Sequence, residues 1–108
     1  MPTIVLEMER LRNPYSGLGQ YCLQLGHAFA TEKSAATMGF ACLVPAACMG
    51  EFGKSMSYKT VKPWHKIIGP RFDTEISGWH CMHQDSEYLP RSRKTPVFLT
   101  IHDLNFLE

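Results

Sequence analysis

Apolar and polar positions fall in blocks along this chain, and the blocks predict strands joined by one helix and by irregular crossovers. Residues 3–8 contain the run Ile4-Val5-Leu6, whose β-branched and aliphatic side chains mark a strand buried on both faces. Asn13-Pro14 breaks that run, because the residue before a proline is pushed out of helical angles. Ser16 is placed to cap a helix. Leu18, Cys22, Leu25 and Phe29 then recur at spacings of four, three and four, the apolar stripe of that helix.

Residues 39–44 (Gly-Phe-Ala-Cys-Leu-Val) form a second apolar run that Pro45 stops. Residues 46–59, with Gly50 and Gly53 in mixed polarity, read as loop, followed by a short strand at 58–61. The stretch 64–73, among Pro63, Gly69 and Pro70, reads as irregular. A strand is expected at 76–82, although Gly78 in its middle weakens it. Residues 85–89 suit a single helical turn ended by Pro90. Residues 96–101 (Pro-Val-Phe-Leu-Thr-Ile) predict a buried strand that starts on a proline, where no ladder donor is needed. Apolar strands separated by a helix and by crossover-length segments imply a parallel sheet in an α/β layer fold. Such sheets place ligands beyond the carboxyl ends of their strands. That rule makes neighbours of residues 10–20, 83–86 and 102–105, which hold the polar groups of interest.

Composition narrows the classes further. A chain of 108 residues fits one small domain, and 44% hydrophobic with 19% charged residues is ordinary globular composition. Eleven Lys+Arg against ten Asp+Glu leave a formal charge of +1, too little overall field to hold nucleic acid or an anionic membrane surface. The longest apolar stretch, 40–50, is too short to span a bilayer and contains Pro45. Glu7 and Glu9 follow the first apolar run at once, unlike the long apolar region of a signal peptide. Four cysteines without an export signal are expected to be reduced thiols in a cytoplasm.

Three groups of residues invite chemistry. Gly17-Leu18-Gly19 lies where a strand turns into a helix, where glycines permit close backbone approach and helix N–H groups favour an anion such as phosphate. A tight turn needing glycine for shape alone remains the other reading. The third glycine of a dinucleotide fingerprint and the Gly-Lys-Ser/Thr of a P-loop are both missing. His80-Cys81-Met82-His83 is the densest run of potential metal ligands, but strand alternation splits it between two faces. The spacing of Cys42 and Cys48 matches no familiar structural zinc site, so no metal is expected. His102 ends the last strand, placed to hydrogen-bond a sugar or phosphate or to act as a base near neutral pH. Asp103 reads as a cap for the next turn. Cys22 and Cys42 read as core, and Arg91-Ser92-Arg93-Lys94 as solvated surface.

Three blocks together, Asn13-Pro14-Tyr15-Ser16-Gly17-Leu18-Gly19-Gln20-Tyr21-Cys22, Trp79 to Ser86 with Tyr88-Leu89-Pro90, and Thr100 to Leu107, resemble the amino-terminal part of bacterial glycosyltransferases of family 4 ("group 1"). The resemblance runs from about Ile4 to Leu107. It implies a Rossmann-like parallel sheet belonging to an incomplete amino-terminal, acceptor-side domain of a GT-B fold over residues 1–108. It further implies retaining transfer from a nucleotide-sugar donor to a glycan or lipid-linked acceptor, with no cofactor or metal ion. Gly17, Leu18, Gly19 and Gln20 match the loop that approaches the donor phosphates. His102 matches a histidine beside the transferred sugar, while His83, Gln84, Asp85 and Asp103 are crevice or acceptor candidates.

The resemblance also implies a cytoplasmic parent enzyme with peripheral membrane association, in polysaccharide or lipopolysaccharide assembly. The donor-binding domain with its paired glutamates is not in this sequence, so the chain is expected to be a fragment inactive alone and prone to self-association through an uncovered apolar edge. A non-catalytic module that binds a sugar phosphate or a partner protein is the competing class, and a small metal protein using His83 and cysteines is a third.

Overall fold

A computed structural model of the chain describes residues 3–13, 15–31, 39–54, 56–72, 74–82 and 86–99. The apolar block at the start forms strand β1 (Thr3–Glu7), and the Met8 N–H still donates to the Leu43 carbonyl at 2.9 Å. Ser16 caps helix α1 (Gly17–Thr31) as its position predicts: its Oγ accepts the Gly19 N–H at 3.0 Å and donates to the Asn13 carbonyl at 2.8 Å. The second apolar run is β2 (Gly39–Val44). Three shorter strands follow: β3 (Ser57–Thr60), β4 (Gly78–Cys81) and β5 (Val97–Leu99).

All four strand pairings are parallel, and the sheet order is β3-β2-β1-β4-β5. The chain therefore has an α/β architecture with a Rossmann-like strand order. β1 lies at its centre, in register from Thr3 against Gly39 to Glu7 against Leu43 on one side, and from Ile4 against Gly78 to Glu7 against Cys81 on the other. Burial on both faces and hydrogen bonding on both edges explain its unbroken apolar sequence.

The two faces are covered differently. Leu6, Met8, Cys42, Val44 and Met82 face α1 through Cys22, with Leu25 and Phe29 packed at the margin. Phe29 stacks on Phe40 with ring centroids 5.0 Å apart. The Phe52 ring presses on α1 so closely that a Cβ at Gly26 would lie 2.3 Å from its Cζ. Tyr58 holds the Phe52 turn in place, its hydroxyl accepting the Phe52 N–H at 2.9 Å and donating to the Gly53 carbonyl at 2.8 Å. On the opposite face Val5, Ala41, Leu43, Trp79 and Cys81 are covered by Tyr88 and, in part, by Val61, Phe72 and Ile76. Among the described residues this cover is irregular chain and 3-10 turns, with no α-helix.

Several sequence expectations are corrected. The strand expected at 58–61 runs one residue earlier, and that at 76–82 is confined to Gly78–Cys81. Its first residue, Gly78, lies close to its neighbour strand: a Cβ there would be 2.8 Å from the Ile4 side chain. Within the stretch read as irregular, Pro63–Lys66 forms a 3-10 turn, and another occupies Ala46–Cys48 of the expected loop. The helical turn expected at 85–89 is not formed over 86–89, where the Tyr88 carbonyl instead accepts the Trp79 indole N–H at 3.0 Å. The strand expected to be buried at 96–101 forms as β5 over Val97–Leu99, but its residues are 45%, 58% and 47% exposed. Among the described residues β5 is the outer strand of the sheet and pairs with β4 alone, so no described strand shields its far edge. No helix among the described residues is long and apolar enough to cross a membrane.

Candidate functional site

In a sheet ordered 3-2-1-4-5 the connections leave β1 and β4 in opposite directions, opening a crevice beyond their carboxyl ends. Those ends are Glu7 and Cys81, which lie directly opposite each other in the ladder. A 3-10 turn, Glu9–Arg12, then carries the chain from β1 toward α1. Arg10 and Arg12 of that turn line hollows beyond the strand ends, and Ser86 hydrogen-bonds the Glu7 side chain. His83, Gln84, Asp85, His102 and Asp103 lie outside the described residues.

Glu7 is the unexpected member of the site. It is only 3% exposed, at the end of an otherwise apolar strand. Burial raises its pKa to about 7; the Ser86 hydrogen bond and Arg10 oppose that rise, while Glu9 adds to it. Glu9 is also buried, and its Oε1 pairs with Arg12 Nε at 2.9 Å. Burial first, then the Glu9 and Glu7 charges, push the Tyr88 phenol up as well. A carboxyl that titrates near neutrality can accept or release a proton under physiological conditions, which a fully ionised carboxylate does poorly.

Two adjoining hollows open from this point. One of about 110 Å³ is lined by Glu9, Arg10, Arg12, Lys66, Glu87 and Tyr88. The other, about 480 Å³, shares Glu9, Arg12, Lys66 and Tyr88 and extends to Pro45 and Lys62 beyond the ends of β2 and β3. Lys66 bridges the lining, with Nζ 3.6 Å from Glu87 Oε2 and 5.8 Å from the Tyr88 ring centre. Basic groups thus outnumber acidic ones along these walls, an arrangement suited to an anionic ligand.

The glycine segment opens α1 and is not part of the lining of either hollow. Gly17 opens α1 and is exposed, Leu18 is half-buried, Gly19 is buried and Gln20 exposed. Neither glycine has a positive φ, and a Cβ at Gly17 would meet nothing within 4 Å. Turn shape therefore does not require glycine at 17, whereas close approach by a ligand would. The cysteines are poor nucleophiles: burial pushes Cys22 and Cys42 up to about 12, with the Glu7 charge a smaller contribution at Cys22. His80 and Met82 face the α1 side and Cys81 the other, and no three His, Cys, Asp or Glu side chains converge among the described residues.

Sequence reasoning singled out the opening of α1 but missed Glu7, Glu9 and Lys66. The available signal was an acidic residue closing a strand buried on both faces, where a charge is costly unless it has a task or a partner. Compared with known protein families, curated proteins and solved structures, the chain matches none.

Proposed function

We propose that this chain is part of the acceptor-side domain of a retaining glycosyltransferase, moving a sugar from a nucleotide-sugar donor to a glycan or lipid-linked acceptor in the cytoplasm. The observation that carries this reading is Gly17, an uncrowded glycine at the helix opening beside the β1/β4 switch point. Helix N–H groups there are suited to stabilise charge growing on a leaving diphosphate. Arg12, Lys62 and Lys66 add positive potential along the larger hollow beyond the strand ends. In this proposal His102 orients the transferred sugar, and His83, Gln84, Asp85 and Asp103 border the acceptor. The four free cysteines accord with a reducing compartment.

The test is a transfer assay with the donor-binding domain supplied. Gly17→Ala meets no internal clash. It is expected to lower kcat about 10- to 100-fold, the penalty of a misplaced reacting group, with acceptor KM and melting temperature unchanged. Wild-type turnover would remove the loop from the mechanism. If transfer is absent but the isolated chain binds a sugar phosphate, the binding-module reading replaces this one, favoured by the basic lining of the hollow.

Self-association through β5 belongs to the same proposal. Its exposed apolar side chains and open edge offer a template for a second strand. Phe98→Lys places a charge on that edge and is expected to shift sedimenting species toward monomer at high concentration. An unchanged sedimentation profile would rule this edge out.

A further inference from the structure

A third hollow lies at the other end of the sheet from the crevice. Its volume is about 420 Å³, the size of a small-ligand pocket. Thr74 and Ile76, just before β4, and Lys94 and Thr95, just before β5, belong to its lining, which sets it at the amino-terminal ends of these strands. Phe72, Ile76 and Trp79, with Pro70 and Pro90, make its apolar wall. The charged part of the lining is mostly basic: Arg71, Arg91 and Lys94 stand against one carboxylate, Glu75. Asp73 lies outside the described residues, and counting its charge as well leaves the cations in the majority.

Two irregular segments are clamped together to form it. Arg91 Nε donates to the Gly69 carbonyl at 3.0 Å. Backbone meets backbone at the same point, since a Cβ on Gly69 would lie 2.6 Å from both the Arg91 nitrogen and the Leu89 carbonyl oxygen. The Phe72 ring meets Trp79 edge-on at 6.3 Å, which ties the first segment to β4. In the second segment the Thr95 N–H donates to the Ser92 carbonyl at 3.4 Å and the Lys94 N–H to Ser92 Oγ at 3.2 Å. The walls are therefore formed before any ligand arrives, and binding need not order loose chain.

We propose that this hollow binds a small carboxylate with an apolar body, whose aryl or alkyl group packs on Phe72, Ile76 and Trp79 while Arg71 and Arg91 hold its carboxylate. A guanidinium matches a carboxylate in shape as well as charge. The brace to Gly69 engages Arg91 through Nε and leaves its Nη groups for the ligand. A fully polar anion such as phosphate would leave the aromatic and isoleucine wall unused, and a neutral apolar molecule would make nothing of the two guanidiniums. The site stands at the opposite end of the sheet from the crevice, so it does not rest on the glycosyltransferase reading. Either proposal can fail without the other.

Tryptophan emission provides the readout, because the chain has two tryptophans and Trp64 is not in the lining of this hollow. Trp64→Phe therefore leaves Trp79, on the wall, as the sole emitter. Titrating that variant with 4-phenylbutyrate should give a saturable change in emission. The uncharged 4-phenylbutanol should bind about tenfold more weakly, the worth of one charge-assisted hydrogen bond. Arg71 is exposed, so adding Arg71→Met should leave the melting temperature unchanged. It should weaken the acid about tenfold and leave the alcohol as it was. Thr74→Phe adds a ring to an exposed part of the lining and should weaken both ligands. An emission change that does not saturate, or equal affinity for acid and alcohol, would overturn the proposal. So would an Arg71→Met variant that still prefers the acid as strongly, or a Thr74→Phe variant that binds both ligands undiminished. A response to inorganic phosphate as tight as that to 4-phenylbutyrate would overturn it too, by showing that the apolar wall plays no part.

Discussion

Replacing Trp79 with alanine is expected to cost about 3–5 kcal/mol of stability and to lower the melting temperature by more than about 12 °C. Trp79 is the largest fully buried side chain among the described residues and packs with Val5, Leu43 and Cys81 on the sheet face opposite α1. Its ring meets Phe72 edge-on at 6.3 Å, and its indole N–H reaches the Tyr88 carbonyl at 3.0 Å. Alanine would leave a cavity and remove the indole donor from that carbonyl, loosening the hold on residues 86–90 under the sheet. A domain of this size has only about 5–15 kcal/mol in hand. Trp79→Phe keeps most of the bulk but loses the donor, so it should cost about 1–3 kcal/mol. Urea denaturation followed by circular dichroism measures both. An alanine variant that melts within a few degrees of wild type would show that the irregular layer does not depend on this side chain.

How far the fold could be read in advance follows from what an apolar pattern reports. β2 was legible with its full range, β1 to within one residue, and α1 from its cap through its stripe, because burial on both faces and helical periodicity each leave a local signature. β5 has the same apolar signature, yet lies exposed. Side-chain type records what a strand is suited to pack against, while its position in the sheet is set by pairings far along the chain. The turn expected at 85–89 failed for a related reason: a long-range bond from Trp79 to Tyr88 outweighs weak local preference. Phe52 inside a glycine-containing loop gave no hint that its ring would seat on Gly26, a contact between residues 26 positions apart.

The site was legible in outline only. Gly17 to Gln20 stand out by glycine spacing at a strand-to-helix junction, and the switch-point rule points to the stretch after β1 and to Ser86. Glu7 stayed hidden because its meaning depends on depth. A glutamate after an apolar run usually marks where a strand meets solvent. Here Glu7 is still paired in the ladder on both sides, against Leu43 and Cys81, and only 3% of it is exposed.

That depth makes Glu7→Gln the second large effect, and its sign depends on pH. The folded chain holds the Glu7 proton up to about pH 7, whereas an unperturbed glutamate releases it near 4.5. Between those values the native state binds more protons than the unfolded state, so stability falls as the pH rises. The contribution is full below pH 4.5 and is lost as the pH rises through about 7. The two midpoints lie about 2.5 pH units apart, a difference worth about 3 kcal/mol once the carboxyl is fully ionised. Glutamine cannot ionise and keeps a comparable shape, so it should match wild type near pH 4.5 and exceed it by up to about 3 kcal/mol at pH 8. Burial lowers the pKa of His65 and His80, which therefore favour the folded state as the pH rises. Both histidines are common to the two proteins, so the difference between them isolates Glu7. Urea melts of wild type and Glu7→Gln at pH 5, 6, 7 and 8 provide the measurement. A difference that stays flat across that range would mean that Glu7 is already ionised in the folded protein, and the crevice would lose its neutral-pH proton carrier. A difference that grows with pH above about 4.5 and levels off above about 7 would establish a carboxyl able to exchange a proton at the switch point of the sheet.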